Sequence, residues 1–280
     1  MKNIKLTSDK DIDLVKYLSD NNIAKNKTKT YVKLGLIYIN DKRVKKLPYL
    51  IHKNDKIEIK KENVTFNLEI LYEDINYLIV NKEAGLLTIS TDKKDSKYED
   101  TLYRRVREYL NSKKEMCFIV NRIDKETSGI VIFVKNDKLK EQLQSNWNNL
   151  VKDRGYIAIV EGIITKSGRV DNYLYEDKMT FSHSTKVGGK RAITNYQPIK
   201  RNDKYTMLDI HIETGRKNQI RVHMMEMNHP ILGDKKYKCK SNPLKRLALH
   251  HYKISFVDPL SNNILTIEKK VPQEFYDLFS

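Results

Sequence analysis

The chain has 280 residues, 39% of them hydrophobic, two cysteines and a formal net charge of +17, which is enough for one large or two smaller domains whose core needs neither disulfides nor a structural metal. Cys117 and Cys239 belong to no CxxC or Cys/His cluster, which argues against a zinc module or a disulfide framework and fits a reducing cytoplasm. The longest apolar run, "IVIFV", is far too short for a membrane span and the N-terminus lacks a signal-peptide core, whereas so large a positive charge attracts polyanions, nucleic acid first among them.

Residues 11–20, "DIDLVKYLSD", place Ile12, Val15 and Leu18 at helical spacing, with Asp11 and Asp13 suited to a helix N-terminus. A second, basic helix is predicted through "KNKTKTYVKLG", ending at Gly35. "LIYIN" and "KRVKK" then read as strands joined at Asn40 and Asp41, and "DKIEIK" alternates as a half-buried strand does. Positive charge is densest here: residues 1–60 hold 15 Lys/Arg against 7 Asp/Glu, net +8, leaving +9 for the other 220. Ammonium groups that merely solvate a surface are the plain alternative. Two small helices followed by strands, with the pattern "VKLGLIYINDKRVKK", resemble the small RNA-binding domain shared by a ribosomal small-subunit protein and some tRNA synthetases. That resemblance covers residues 1–62 and implies RNA contacts by Lys25, Lys27, Lys29, Lys33, Arg43, Lys45 and Lys46.

The polar "KKENVTFN" of residues 60–67 marks the expected boundary, with a short linker at 63–68 and a second domain over 69–280. Strands dominate beyond it: "LEILYED", "YLIVNKE", "CFIV", "GIVIFVK", "GYIAIVEG", "ITNYQPI", "YTMLDIHIET" and "YKISFVD". Helices are predicted in "DTLYRRVREYLNSK", where Leu102, Val106 and Leu110 recur at i, i+4 and i+8, and in "KLKEQLQSNWNN". Short turns such as Gly188 and Gly189 suggest antiparallel pairing. The expected fold class is α+β: a mixed, mainly antiparallel sheet flanked by helices and loops, preceded by the small α/β domain.

Within this order, "CFIV" and "GIVIFVK" bracket the charged "NRIDKETSG". Its simplest reading is a solvated loop between buried strands, with Thr127, Ser128 and Gly129 turning the chain. The functional alternative makes Asp124 a positioned carboxylate, kept ionised by neighbouring cations, because a rigid sheet offers its loops for catalysis. Further on, "DIHIE" closes a strand, Thr214 and Gly215 turn, and a helix follows with Ile220, Met224 and Met227 on its core face. Arg216, Lys217 and Arg221 at its start oppose the helix dipole unless an anion sits there. Solvent-reaching arginines are the competing account.

"RIDKETSG" and "TGRKNQIRVHMMEMNHPILGD" together resemble the signature and the arginine-rich late motif of the RluA family of pseudouridine synthases. "NKEAGLL", "RGYIAIVEG", "GKRAITNY" and "LALHHYKISFVDP" fall in that family's order over residues 69–280. The resemblance implies the pseudouridine synthase fold and isomerisation of uridine in structured RNA, with no net redox change and hence no cofactor and no metal. It implies that Asp124 is the catalytic carboxylate and that Arg221 pairs with it and keeps its pKa low. Tyr156 would pack on the flipped uracil and assist proton transfer at carbon 5, and Arg122 would enter the space the base vacates. Arg216 and Lys217 would contact RNA. Ribosomal RNA of the large subunit is favoured over tRNA, with a cytoplasmic monomer and no membrane as the setting.

Four positions depart from the family's pattern: Asn121 and Asn218 stand where histidine is usual, Glu83 where proline is, and Arg154 where lysine is. His223, His229 and His250 are expected to support the fold. A catalytically inactive RNA-binding or ribosome-assembly protein on the same fold is the first rival, though Asp124, Arg221 and Tyr156 all survive. A nuclease or methyltransferase is disfavoured, since neither clustered carboxylates nor a glycine-rich strand turn is seen.

Overall fold

A computed structural model describes residues 4–33, 35–59, 68–90, 100–177, 182–185 and 188–280. The chain divides into two compact units, Met1–Asn67 with Ser90–Glu99, and Leu68–Ile89 with Asp100–Ser280. The expected boundary at 60–67 and the side chain of Lys33 lie outside the described residues.

The first unit runs β1 (Ile4–Thr7), β2 (Ile12–Asp13), α1 (Leu14–Asp20), α2 (Lys25–Lys33), β3 (Ile37–Ile39), β4 (Lys42–Arg43), β5 (Leu50–Ile51) and β6 (Lys56–Ile59). Four strands form a sheet in the order β1-β6-β3-β4, and β2 pairs with β5. The first helix begins three residues later than its spacing predicts. Asp13 is its cap, accepting from the Val15 and Lys16 amides at 3.0 and 3.1 Å, while Asp11 accepts from the Lys53 amide instead. The second helix ends as predicted. Gly35 takes φ +66, and the Gly35 and Leu36 amides return to the Val32 and Tyr31 carbonyls. Asn40 and Asp41 both adopt positive φ, as a two-residue hairpin turn between β3 and β4 requires. Leu14, Leu18, Ile37, Ile39, Ile57 and Ile59 fill the core of this unit.

The second unit comprises β7 (Glu69–Glu73), β8 (Tyr77–Lys82), α3 (Leu102–Ser112), β9 (Phe118–Ile119), β10 (Ser128–Val134), α4 (Asp137–Ser145), α5 (Trp147–Leu150) and β11 (Val151–Glu161). It continues with β12 (Gly168–Glu176), β13 (Ser182–Thr185), β14 (Lys190–Arg201), β15 (Tyr205–Ile212), α6 (Gln219–Glu226), β16 (Leu249–Val257), β17 (Ile264–Glu268) and α7 (Gln273–Asp277). Eleven strands form one sheet in the order β13-β12-β14-β15-β11-β16-β10-β8-β7, with β17 beside β16 and β9 beside β10. Every pairing is antiparallel except β10 with β16. The expected mixed, mainly antiparallel sheet is therefore present. One detail differs: Gly188 and Gly189 do not close a hairpin, because β13 and β14 lie on opposite sides of β12.

The middle of this sheet sets the site. All seven residues of β10 are buried, which is why its sequence reads as an unbroken apolar run. One edge of β16 is divided between two partners: β10 meets it at His250 and His251, and β17 takes Lys253–Val257. At that junction Gly129 has φ +122, and a Cβ there would sit 2.2 Å from the His251 carbonyl oxygen, so only glycine fits.

Candidate active site

Asp124 lies in the loop that enters this junction. The Thr127 amide donates to the Asp124 carbonyl at 3.1 Å, closing the turn, and Thr88 Oγ1 donates to the Ile123 carbonyl at 2.7 Å. Ser128 Oγ bonds His250 Nδ1 at 2.8 Å and receives Arg246 Nη2 at 2.6 Å. Lys82 is the strongest tether. Its side chain is fully buried, and its ammonium donates to the carbonyls of Glu83, Leu86 and Lys125 at 2.9, 2.7 and 2.9 Å. It thereby joins the "NKEAGLL" segment to the residue after Asp124. Burial drives the Lys82 pKa down to about 7, with the charges of Glu126 and Asp124 opposing that shift.

Arg221 comes to Asp124 from α6, 97 residues further along the chain. Its Nη1 is 3.7 Å from Asp124 Oδ2, a charge contact longer than a hydrogen bond. The close partner is another carboxylate: Nε and Nη2 each donate to Asp234 at 2.7 Å, and Nη1 donates to Asn218 Oδ1 at 2.9 Å. The Asp234 side chain is wholly buried. The expected ion pair of Arg221 with Asp124 is therefore present, with Arg221 itself held in a bidentate fork by Asp234 and presented to Asp124. The expected low pKa of Asp124 is corrected, since burial of the carboxyl raises it and Arg221 only partly offsets that rise.

Tyr156, on β11, pairs with His251 of β16, and their rings stack with centroids 4.4 Å apart at 16°. Burial raises the phenol pKa far above its ordinary value. Tyr156 therefore stays a neutral phenol with a flat face suited to packing against a base. His251 Nδ1 bonds the Ile130 carbonyl oxygen at 2.8 Å, and burial pulls the imidazole pKa down to about 4.

The remaining expected residues fall less centrally. Arg122 is exposed. Arg216 Nε donates to the Arg191 carbonyl, and Lys217 pairs with Glu176. In the first unit Lys25, Lys29, Lys45 and Lys46 are exposed and Lys27 half-buried, while Arg43 Nε is engaged by the Gly35 carbonyl at 2.8 Å. The four departures have local partners. Asn121 Oδ1 accepts from the Ile132 amide, Asn218 Oδ1 from Arg221, Glu83 pairs with Arg105, and Arg154 Nη2 donates to the Glu213 carbonyl. His223 lies between Thr194 and Asn172, and His229 bonds the Glu161 carbonyl. These bonds suit structural roles.

Lys82, Asp234 and His251 carry no separate signal in the sequence reading. Lys82 occupies the same strand face as Leu78 and Val80, which are fully buried, so a lysine on an apolar parity was the available clue. Among the described residues no group of three or more His, Cys, Asp or Glu side chains is arranged to hold a metal ion, and no helix is long and apolar enough to cross a membrane.

Comparison with known proteins places these features in context. A family model described as RNA pseudouridylate synthase matches residues 76–226. A ribosomal large subunit pseudouridine synthase D of Neisseria meningitidis is 29% identical, over 96% of this chain and 77% of its own. An RNA pseudouridine synthase of Bacillus subtilis, YhcT, is 32% identical over 75% of this chain and 71% of its own. Two human structures share the fold: RNA pseudouridylate synthase domain containing 4, with TM-score 0.58 and 22% identity over 74% of this chain and 90% of that one, and domain containing 1, with TM-score 0.60 and 18% identity over 75% and 86%.

Proposed function

We propose that this chain, which belongs to the RNA pseudouridylate synthase family and isomerises uridine in RNA, acts on large-subunit ribosomal RNA with Asp124 as its catalytic carboxylate. The reaction breaks the bond between uracil N1 and ribose C1′, turns the base, and forms a bond from C1′ to carbon 5. A proton leaves carbon 5 and one is gained at N1, so atoms balance without an external group. Breaking the glycosidic bond leaves C1′ electron-poor, and an ionised carboxylate is what that step needs. The observation that carries this reading is Asp124 on a loop tethered at both ends, 3.7 Å from an arginine that another carboxylate already orients.

Each group then has a role. Asp234 fixes Arg221, and Arg221 favours the charged form of Asp124 against the cost of burial. Tyr156, backed by His251, offers a flat neutral surface to the extruded uracil. Exposed Arg122 is adjacent to that loop and suits the space the base leaves. The cations of Met1–Asn67 contact RNA phosphates. Protein and RNA meet in the cytoplasm, and the protein works as a monomer. The ribosomal target rests on the names of relatives such as the Neisseria synthase.

The test is a pseudouridine map of ribosomal and transfer RNA from cells carrying the wild-type gene, no gene, or Asp124→Asn. Loss of a large-subunit site in both altered strains is expected. Loss confined to transfer RNA would overturn the ribosomal assignment.

A further inference from the structure

A second group of charges stands beside Asp124. On β12, Leu174 packs with Val222 and Tyr237, and Glu176, two residues on, shares its strand face. Glu176 is paired across the strands with Ser182, whose amide donates to the Tyr237 hydroxyl at 3.1 Å. Glu176 therefore emerges next to the Tyr237 ring. The same ring has the Arg221 guanidinium 5.1 Å and the Lys236 ammonium 5.8 Å from its centre. Glu176 forms an ion pair with Lys217, their side chains 43% and 47% exposed. The charges of Arg221, Lys217, Asp124 and Glu176 all act on Lys236.

So exposed an ion pair contributes little to folding, which makes stability a poor reason for placing Glu176 among the charges of Lys217 and Lys236. An RNA phosphodiester carries the same single negative charge as a carboxylate and accepts from the same donors. Extruding a nucleotide also brings its flanking phosphates to the rim of the pocket that receives the base.

We propose that Lys217 and Lys236 bind one backbone phosphate adjacent to the extruded uridine, and that Glu176 occupies that phosphate's place until RNA displaces it. The inference rests on Asp124 being the uridine site. Anion replaces anion, so binding costs the lysines no unpaired state, and Glu176 makes entry conditional on a phosphate at the right distance from the base.

The probe is a large-subunit ribosomal RNA transcript carrying uridine tritiated at carbon 5, with affinity read by filter binding at several salt concentrations. Lys217→Ala and Lys236→Ala should each weaken affinity about tenfold and lower the slope of log affinity against log salt by about one. Glu176→Gln should strengthen affinity, because it removes the competitor. A purely structural ion pair would make Glu176→Gln and Lys217→Ala alike. Lys217→Gln and Lys236→Gln repeat the test should either alanine variant fold poorly. Affinity within about twofold of wild type in either lysine variant, or weaker binding by Glu176→Gln, would overturn the inference. Tritium release by the wild type, read in the same samples, reports separately on the uridine site, so the two failures are distinguishable.

Discussion

Asp124 is a carboxyl group whose surroundings make its charge costly and its position fixed. Burial raises its pKa, so the unfolded chain gives up this proton near the ordinary value of about 3.9 while the folded protein gives it up only at higher pH. Below that window both states are protonated; across it stability falls as pH rises; above it the deficit is constant. Asp124→Asn is accordingly expected to abolish activity yet to melt higher than wild type at pH 7, and a lower melting temperature would contradict the burial account. Lys82 gives the opposite slope. Its folded pKa of about 7 against 10.5 means that the unfolded chain holds a proton the folded protein has lost, so stability rises with pH across that interval. Lys82→Met should remove that rise in a denaturant titration and cost about 2–3 kcal/mol through carbonyls left without a donor. At this scale the motifs made Asp124, Tyr156 and Arg221 legible. Sequence spacing did not reveal which carboxylate holds Arg221, because Asp234 and Asp124 are brought to it only by folding.

At the scale of elements, the site depends on how β10 enters between β8 and β16. Gly129→Ala would force a Cβ against the His251 carbonyl, and separating β10 from β16 there should cost on the order of 3 kcal/mol, with activity falling further than stability because Asp124 sits five residues upstream. Thermal melts beside tritium-release rates would check this; an active Gly129→Ala protein would show that the junction does not position the loop. Asp234→Asn tests the other side, since it trades a bidentate ionic fork for weaker contacts to a buried guanidinium, and a stability loss of about 3–5 kcal/mol is expected. Apolar strands such as β10 and well-patterned helices such as α3 were readable because burial alone fixes their sequences. Strands β12 and β13 were not, since much of their length faces outward and polar residues interrupt any run of β-formers; β17, a five-residue strand with one buried residue, was missed although its sequence is β-prone. The helix-dipole argument for an anion at α6 also found a different answer: Arg221 there is met by Asp234 of the protein itself.

For the molecule as a whole, the charge of +17 is an argument about partners. Replacing exposed Lys25, Lys29, Lys45 and Lys46 with glutamine should weaken RNA affinity and flatten its salt dependence, with the turnover rate at saturating RNA much less affected. Unchanged affinity would mean that the N-terminal cations only solvate a surface. Composition indicated a polyanionic partner, and the order of motifs indicated uridine isomerisation; neither carries the identity of the target, because the motifs concern the chemistry at one base and not the RNA fold around it. The central claim, that the half-buried carboxylate of Asp124 performs the chemistry, is tested most directly by tritium release from RNA labelled at uracil carbon 5. Wild-type protein is expected to release tritium to water and Asp124→Asn to release none while still binding the RNA; release by Asp124→Asn at a rate near that of wild type would contradict the account.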